Sequence, residues 1–197
     1  IFGGYNAAYY RGSYNFSSAE EHTPMLTAMV PFGTNSEQII SSEIQNAAFE
    51  DANSNKPFIV QAKVKAGELV ERAGNKILLK IGEIIGPQAE LYQEKPRQLP
   101  IKIEFPHFLE RKIELIIPDG FKIRNPDDLK MEQVFREDGE LTMGFVSSYQ
   151  LVGNRLSIKI MEEYRKTYYP LSQYEDFKRI INASADFNKI VLVMEKQ

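Results

Sequence analysis

Two histidines and no cysteines limit the chemistry available to this chain of 197 residues. The lack of cysteine excludes a disulfide framework, a thiolate zinc site and a cysteine nucleophile. His22 follows two glutamates, and His107 lies in a Phe-Pro-His-Phe segment that predicts a turn. A metal site of both histidines with Glu20 or Glu21 has no His-x-His or His-Glu-x-x-His spacing to support it. No serine lies in a Gly-x-Ser-x-Gly motif. We therefore expect no catalytic residue, no metal and no cofactor.

Adjacent carboxylates are the second candidates for chemistry. Neighbouring residues of a strand face opposite sides of a sheet, so Glu162 and Glu163 cannot easily share a proton or an ion. Asp127 and Asp128 follow a proline and indicate a turn. Calcium-loop, dinucleotide-binding and Walker motifs are absent from the sequence. A hydrolase with two carboxylates facing each other across a cleft stays open as an alternative, because a single sequence does not reveal such a pair.

Aromatic residues are the unusual feature of the composition: ten tyrosines and twelve phenylalanines occur without a tryptophan. Tyr5, Tyr9, Tyr10 and Tyr14 cluster near the start of the chain. Exposed tyrosines can stack on sugar rings or form a protein interface, so these four are the candidate interaction surface for a peptide or a glycan. The alternative interpretations are that they close the edges of a β-sandwich or border a neighbouring domain.

Charge and hydrophobicity exclude several classes of partner. A formal net charge of −3 lacks the positive excess that phosphate binding needs, so we expect no nucleic acid partner. No apolar run approaches the ~20 residues that span a bilayer, so we expect no membrane span. The chain starts at Ile1 and shows no signal segment. We interpret it as a processed chain or a piece of a larger protein.

The elements that must position these residues are mostly strands. Apolar and polar residues alternate with a period of two in four segments, and turn-like sequences separate them. These segments lie at residues 60–64, 101–105, 113–117 and 156–160. Further strands are predicted at residues 7–14, 39–49, 77–84, 131–136, 141–151 and 189–194. Strands at this spacing favour an all-β fold, a mostly antiparallel β-sandwich.

Two short packed helices interrupt the strands, at about residues 19–30 and 173–184. Each is predicted to begin with a Ser-x-x-Glu capping box, at Ser18 and at Ser172. Behind Ser172, apolar residues recur at helical spacing and form one stripe. Pro24 lies too deep for a comfortable first turn, so we expect the first helix to be short, kinked or late in starting.

The domain organisation has two interpretations. The first is one β-rich accessory domain or C-terminal fragment over residues 1–197. The second is a division into two lobes near residues 86–98, where Pro87, Pro96 and mixed charges occur. We favour the first, because the few strands before residue 86 need partners to cover them.

Segments spread over the chain carry a family resemblance. In the second half they are Tyr92, 97–101, 116–123 with its Pro-Asp-Gly turn, 154–160, 169–177 and 189–193. These segments resemble the C-terminal region of bacterial transglutaminase-like proteins. Earlier, residues 10–14 and 18–29 resemble the stretch that follows the catalytic core of that family.

The resemblance implies a protein exported by Gram-negative bacteria. Members carry an N-terminal β-sandwich, a papain-like core with a Cys–His–Asp triad and a C-terminal β-rich domain of unassigned function. It therefore implies a periplasmic, cell-surface or secreted location and an adjoining catalytic domain of the same protein as partner. The family's thiol chemistry cannot be carried by a chain without cysteine, so no catalytic residue is transferred.

We expect a non-catalytic accessory domain of a transglutaminase-like or cysteine-protease-like protein. It would support the catalytic core or bind a substrate or partner beside it. The alternative is a carbohydrate- or protein-binding β-sandwich module that uses exposed tyrosines.

Overall fold

A computed structural model describes residues 1–29, 38–92 and 95–196. The chain divides into two compact units, Ile1–Glu68 and Leu69–Gln197. Residues 86–98, where the sequence offers a division into lobes, lie inside the second unit, and 93 and 94 among them lie outside the described residues.

The first unit contains three helices and two strands in its described part. In chain order these are α1 (Gly4–Phe16), α2 (Ala19–Met29), β1 (Gln38–Gln45), α3 (Glu50–Asn53) and β2 (Ile59–Lys65). Strands β1 and β2 form a two-stranded antiparallel ribbon.

The strand predicted at residues 7–14 is wrong, because these residues lie in α1. Ala7 and Arg11 are buried and Tyr10 and Tyr14 are half-buried. These four positions follow the i, i+3, i+4, i+7 spacing of one helix face. The pattern was helical, but an arginine on the inward face concealed it.

The helix predicted at about residues 19–30 is confirmed over Ala19–Met29, and Val30 lies outside the described residues. Of the two hydrogen bonds of its capping box, the one from the Ser18 backbone to the Glu21 carboxylate forms, whereas the Ser18 hydroxyl donates a hydrogen bond and does not accept one. The Glu21 carboxylate accepts the Ser18 N–H at 2.7 Å, and it also accepts the Ser18 hydroxyl at 2.9 Å. These hydrogen bonds hold the pKa of Glu21 below its usual value.

The second unit is built from short and long strands with one long helix near its end. Its strands are β3 (Val70–Ala73), β4 (Lys76–Leu79), β5 (Ile101–Lys102), β6 (His107–Ile116), β7 (Phe121–Ile123), β8 (Met131–Glu137), β9 (Glu140–Val152), β10 (Arg155–Tyr164), β11 (Tyr168–Tyr169) and β12 (Leu192–Lys196). Two four-stranded sheets have the orders β6-β10-β9-β8 and β3-β4-β12-β7, and β5 pairs with β11. All of these pairings are antiparallel. The prediction of a β-rich chain with antiparallel sheets and a few short helices is confirmed.

The predicted C-terminal helix is confirmed as α4 (Tyr174–Asn188), but its capping box at Ser172 is wrong. The residue before the helix is Gln173, and its side chain makes no capping hydrogen bond. A 3-10 turn runs directly into α4: the Gln173 N–H donates to the Pro170 carbonyl, and the Tyr174 N–H donates to that of Leu171. These bonds satisfy amide groups that a serine cap would otherwise serve.

Helix α4 covers one face of the long sheet, where it packs against β8 and β9. The rings of Phe145 on β9 and Phe187 on α4 lie 5.9 Å apart, and both side chains are fully buried. Along β10 the even-numbered residues face this core, including Leu156, Ile158 and Ile160. Among the described residues, the helices are too short or too polar to cross a bilayer.

Candidate functional site

The four candidate tyrosines lie on α1, and the helix divides them into two pairs. Tyr10 and Tyr14 face inward, with their ring centroids 6.4 and 6.3 Å from that of the buried Phe58. Tyr5 and Tyr9 are one helical turn apart and remain 67% and 58% exposed. The strand predicted at residues 7–14 would place these tyrosines on a sheet, whereas the exposed pair lies on a helix.

Arg11 is the residue of this region that the sequence did not single out. Its side chain is 2% exposed, and it donates from Nε to the Asn46 carbonyl at 3.0 Å and from Nη2 to the Lys56 carbonyl at 2.8 Å. Asn46 has a positive φ of 59° and donates from its amide to the Pro57 carbonyl at 2.9 Å. Arg11 thus ties α1 to both ends of the segment between β1 and β2 and has a structural role.

The two histidines lie in different units and have separate partners. The His22 ring stacks on Tyr14 with centroids 4.0 Å apart, and Nε2 lies 3.0 Å from the Tyr14 carbonyl oxygen. His107 is the first residue of β6 and not part of a turn; its Nδ1 lies 3.0 Å from the Phe105 carbonyl oxygen. Over residues 1–29, 38–92 and 95–196 there is no group of three His, Cys, Asp or Glu side chains placed to hold a metal ion.

Glu162 and Glu163 face opposite sides of β10, as predicted. Glu163 accepts a hydrogen bond from Arg165 at 2.7 Å, whereas Glu162 is 5% exposed on the core side. Glu162 accepts from Arg111 at 2.9 Å and from the Tyr164 hydroxyl at 3.2 Å. Both carboxylate oxygens are therefore occupied. Burial, and then the Glu162 charge, raise the pKa of Tyr164 far above its usual value.

This network has the composition of an acid–base site, but Glu162 and Tyr164 are buried and hydrogen-bonded to each other, and Glu162 also binds Arg111. A buried ion pair with satisfied hydrogen bonds is as typical of a structural role as of a catalytic one. The alternating row Leu156, Ile158, Ile160, Glu162 is the signal in the sequence that could have placed this carboxylate in the core.

The start of α4 contains two buried polar atoms without a hydrogen-bond partner among the described residues, Gln173 Oε1 and the Tyr174 hydroxyl. The Tyr174 ring has two cations close to it, Arg97 at 5.4 Å and Lys178 at 5.5 Å from its centroid. Since both polar atoms are shielded from solvent, a ligand cannot reach them in this conformation.

A shallow surface cleft of about 290 Å³ lies on the ribbon of the first unit. Its lining residues come from the middle of both strands and are Ser41, Ser42, Glu43, Gln61, Ala62 and Lys63. All six residues are exposed.

Comparison with known proteins gives a family and one solved structure. None of the curated proteins compared with the chain matches it. A crystal structure of a "putative protease" from Parabacteroides distasonis is similar over 53% of this chain, with 16% sequence identity and a TM-score of 0.42. This chain matches 19% of the length of that protein. The profile of a family described as "Domain of Unknown Function with solved-structure structure (DUF3858)" matches residues 76–194. The match covers more than half of the chain, and the chain therefore belongs to the DUF3858 family.

Proposed function

We propose that this chain is a non-catalytic accessory domain of a transglutaminase-like or cysteine-protease-like protein, outside the cytoplasm, and that its first unit packs against the catalytic domain of the same protein. The observation that carries the proposal is that the first unit, Ile1–Glu68, has a small core while several of its aromatic side chains are exposed.

The described part of the first unit contains two buried apolar residues, Ala7 and Phe58. Large apolar side chains of α1 and of the segment before β2 are exposed instead: Tyr5, Tyr9, Phe16 and Phe49. A unit whose described part buries so few apolar side chains is marginally stable, and a two-stranded ribbon adds little. A neighbouring domain that covers these side chains would supply the missing burial.

The sequence resemblance supports the identity of this neighbour. Residues 10–14 and 18–29 resemble the stretch that follows the catalytic core of transglutaminase-like proteins. A thiol nucleophile must come from another domain, since this chain has no cysteine. The family match adds a fold whose function is unknown, so the accessory role rests on the resemblance and on the uncovered surface.

Binding to the catalytic domain of the parent protein, measured by calorimetry, tests this proposal. We expect the paired substitution Tyr5→Ser and Tyr9→Ser to weaken binding at least about tenfold, because each removes a large exposed ring from the interface. Tyr92→Ser is the matched control, since Tyr92 is 78% exposed in the second unit.

An activity assay of the isolated chain tests the second half of the proposal. We expect no hydrolysis of peptide amides and no transamidation of glutamine substrates. Turnover by the purified chain, or equal binding by the tyrosine variant and the control, would contradict an accessory role.

A second candidate function is glycan or peptide binding through Tyr5 and Tyr9. Two exposed tyrosines at i and i+4 present adjacent rings on one helix face, and such rings can stack on sugars. Because the chain has no tryptophan, quenching of tyrosine fluorescence by a panel of oligosaccharides measures this directly. Binding that survives loss of both rings would remove this candidate.

A further inference from the structure

Strand β6 is a long edge strand of the sheet β6-β10-β9-β8. It pairs with β10 from His107 to Ile116 in one continuous register. In the part of the chain that the structure describes, no strand pairs with its other side. The opposite edge, β8, is interrupted by an irregularity between Phe135 and Arg136. A long regular edge offers a row of backbone donors and acceptors to another strand, and proteins normally interrupt or cover it.

Apolar side chains accompany this open edge. Phe108, Leu109 and Ile116 are 67%, 39% and 54% exposed. Helix α4 packs against β8 and β9, nearer the other edge of the sheet. The core-side residues Ile113 and Leu115 of β6 are consequently only half-buried. A strand placed beside β6 would pair the backbone and cover much of this apolar surface at once.

We propose that a second copy of this chain pairs with β6 in antiparallel orientation, so that two four-stranded sheets join into one sheet of eight strands. The interface goes beyond the accessory function proposed above, since it lies in the second unit and does not involve α1. The argument for a second copy comes from the sequence of β6, which is complementary in charge to itself.

Symmetry restricts the register of such a pair. A two-fold axis between antiparallel edge strands is perpendicular to the sheet, and each face of the sheet stays on its own side. Directly opposed residues point to the same side. The axis must therefore pass midway between a residue of one chain and the same residue of the second chain, so that these two residues are directly opposite each other. Registers that place an inward residue opposite an outward one are excluded.

Charge selects among the remaining registers. An axis at Arg111 pairs residues 107–115 and places Glu110 opposite Lys112 twice, with Leu109 opposite Ile113 on the other face. An axis at Glu110 or at Lys112 places identical charges opposite each other on the more exposed face, which is destabilising, whereas the Arg111 charge is compensated by Glu162 of its own chain. An axis at Ile113 pairs only residues 110–116. The axis at Arg111 gives the longest overlap with opposite charges matched.

Arg111 itself faces its own copy in this register. Its guanidinium is bound to the Glu162 carboxylate at 2.9 Å in the same chain, and the two charges compensate each other. Exposed Glu110 and Lys112 also form an ion pair within the chain, at 2.7 Å. Each can turn to the matching residue of the second copy without leaving a buried charge unpaired.

Sedimentation equilibrium of the full chain over a range of concentrations tests the dimer. We expect Lys112→Glu to raise the dimer dissociation constant at least about tenfold, since it puts two Glu–Glu pairs across the interface. Lys102→Glu, the same charge change at an exposed position of β5, should leave the constant unchanged. The exchange Glu110→Lys with Lys112→Glu should restore it, because the pairs are reversed but still opposite in sign.

Cross-linking tests the register in a chain that has no cysteine of its own. Under oxidising conditions, Glu110→Cys with Lys112→Cys should give a covalent dimer on a non-reducing gel. Lys112→Cys with Glu114→Cys should not, because the axis at Arg111 does not oppose these positions. A chain that stays monomeric up to about 1 mM, or dimers equally weakened by Lys112→Glu and Lys102→Glu, would overturn the proposal.

Discussion

The two units of this chain are stabilised in different ways. In the second unit, α4 and the face of a four-stranded sheet enclose large apolar side chains such as Phe145, Ile160 and Phe187. In the first unit, a small aromatic cluster surrounds Phe58, and hydrogen bonds of Arg11 to backbone carbonyls supply much of the tertiary structure.

The family match follows this division. Residues 76–194 lie entirely within the second unit, which contains most of the buried apolar residues that the structure describes. The first unit is instead held together by a few contacts around Phe58 and Arg11. Substitutions whose expected effects differ between the two units test this comparison.

The largest effect is expected from Phe145→Ala. Phe145 is fully buried against Phe187, so its loss leaves a cavity and should lower the free energy of unfolding by about 3–5 kcal/mol. Phe16→Ala is the control in the first unit, where the ring is 85% exposed, and should cost less than about 1 kcal/mol. Denaturant unfolding followed by circular dichroism measures both. Similar losses in the two variants would contradict the burial of Phe145 and the exposure of Phe16.

The next effect is expected from Arg11→Met, which keeps the apolar stem and removes the guanidinium. The carbonyls of Asn46 and Lys56 then lose a charged donor, at a cost of about 1–3 kcal/mol to the first unit. Native-state hydrogen exchange should show faster opening of α1 and unchanged protection of β10. Arg72→Met, at an exposed position of β3, is the control. If protection of β10 fell equally, the units would be one cooperative structure.

The sequence predicts the second unit better than the first, for a physical reason. In strands such as β10, apolar and polar residues alternate with a period of two because one face is buried and the other is exposed to solvent. In α1 the inward face includes Arg11, whose partners lie 35 and 45 residues away in the chain. A prediction from local periodicity assigns charged residues to the surface. Arg11 therefore does not count toward the inward face, and the helix is not predicted.

The same limit applies to the candidate site. Four tyrosines close in sequence predict one surface only if the backbone is known, and a helix places Tyr10 and Tyr14 inside and Tyr5 and Tyr9 outside. The sequence correctly predicts that Glu162 and Glu163 point to opposite faces of the sheet. It does not show that Glu162 is buried, because its ion-pair partner, Arg111, lies on another strand. Contacts between distant segments are what the sequence pattern does not contain.

A smaller effect, confined to alkaline pH, is expected at Tyr164. Its pKa is raised in the folded chain by burial and by Glu162. The folded state therefore keeps a proton that the unfolded state loses above pH ~10, and stability falls by up to about 1.4 kcal/mol per pH unit there.

Tyr164→Phe should remove this contribution to the loss of folding stability at alkaline pH. Unfolding free energies at pH 9 and pH 11 compare the two proteins, with Tyr9→Phe in the exposed part of the first unit as control. Equal slopes in all three would show that Tyr164 does not titrate as an inaccessible group.

The smallest effect is expected from Gly12→Ala within α1. Nothing lies within 4 Å of a Cβ at this position, so alanine gains helix propensity without a clash and should stabilise α1 by about 0.5–1 kcal/mol. Gly4→Ala is the matched control. Its φ of +50° is strained for alanine, and that change should destabilise the same helix. Opening of α1 measured by hydrogen exchange separates the two. Because the first unit has so small a core, a gain of this size should slow exchange throughout α1 and leave β10 unaffected, whereas a rigid first unit would show no change.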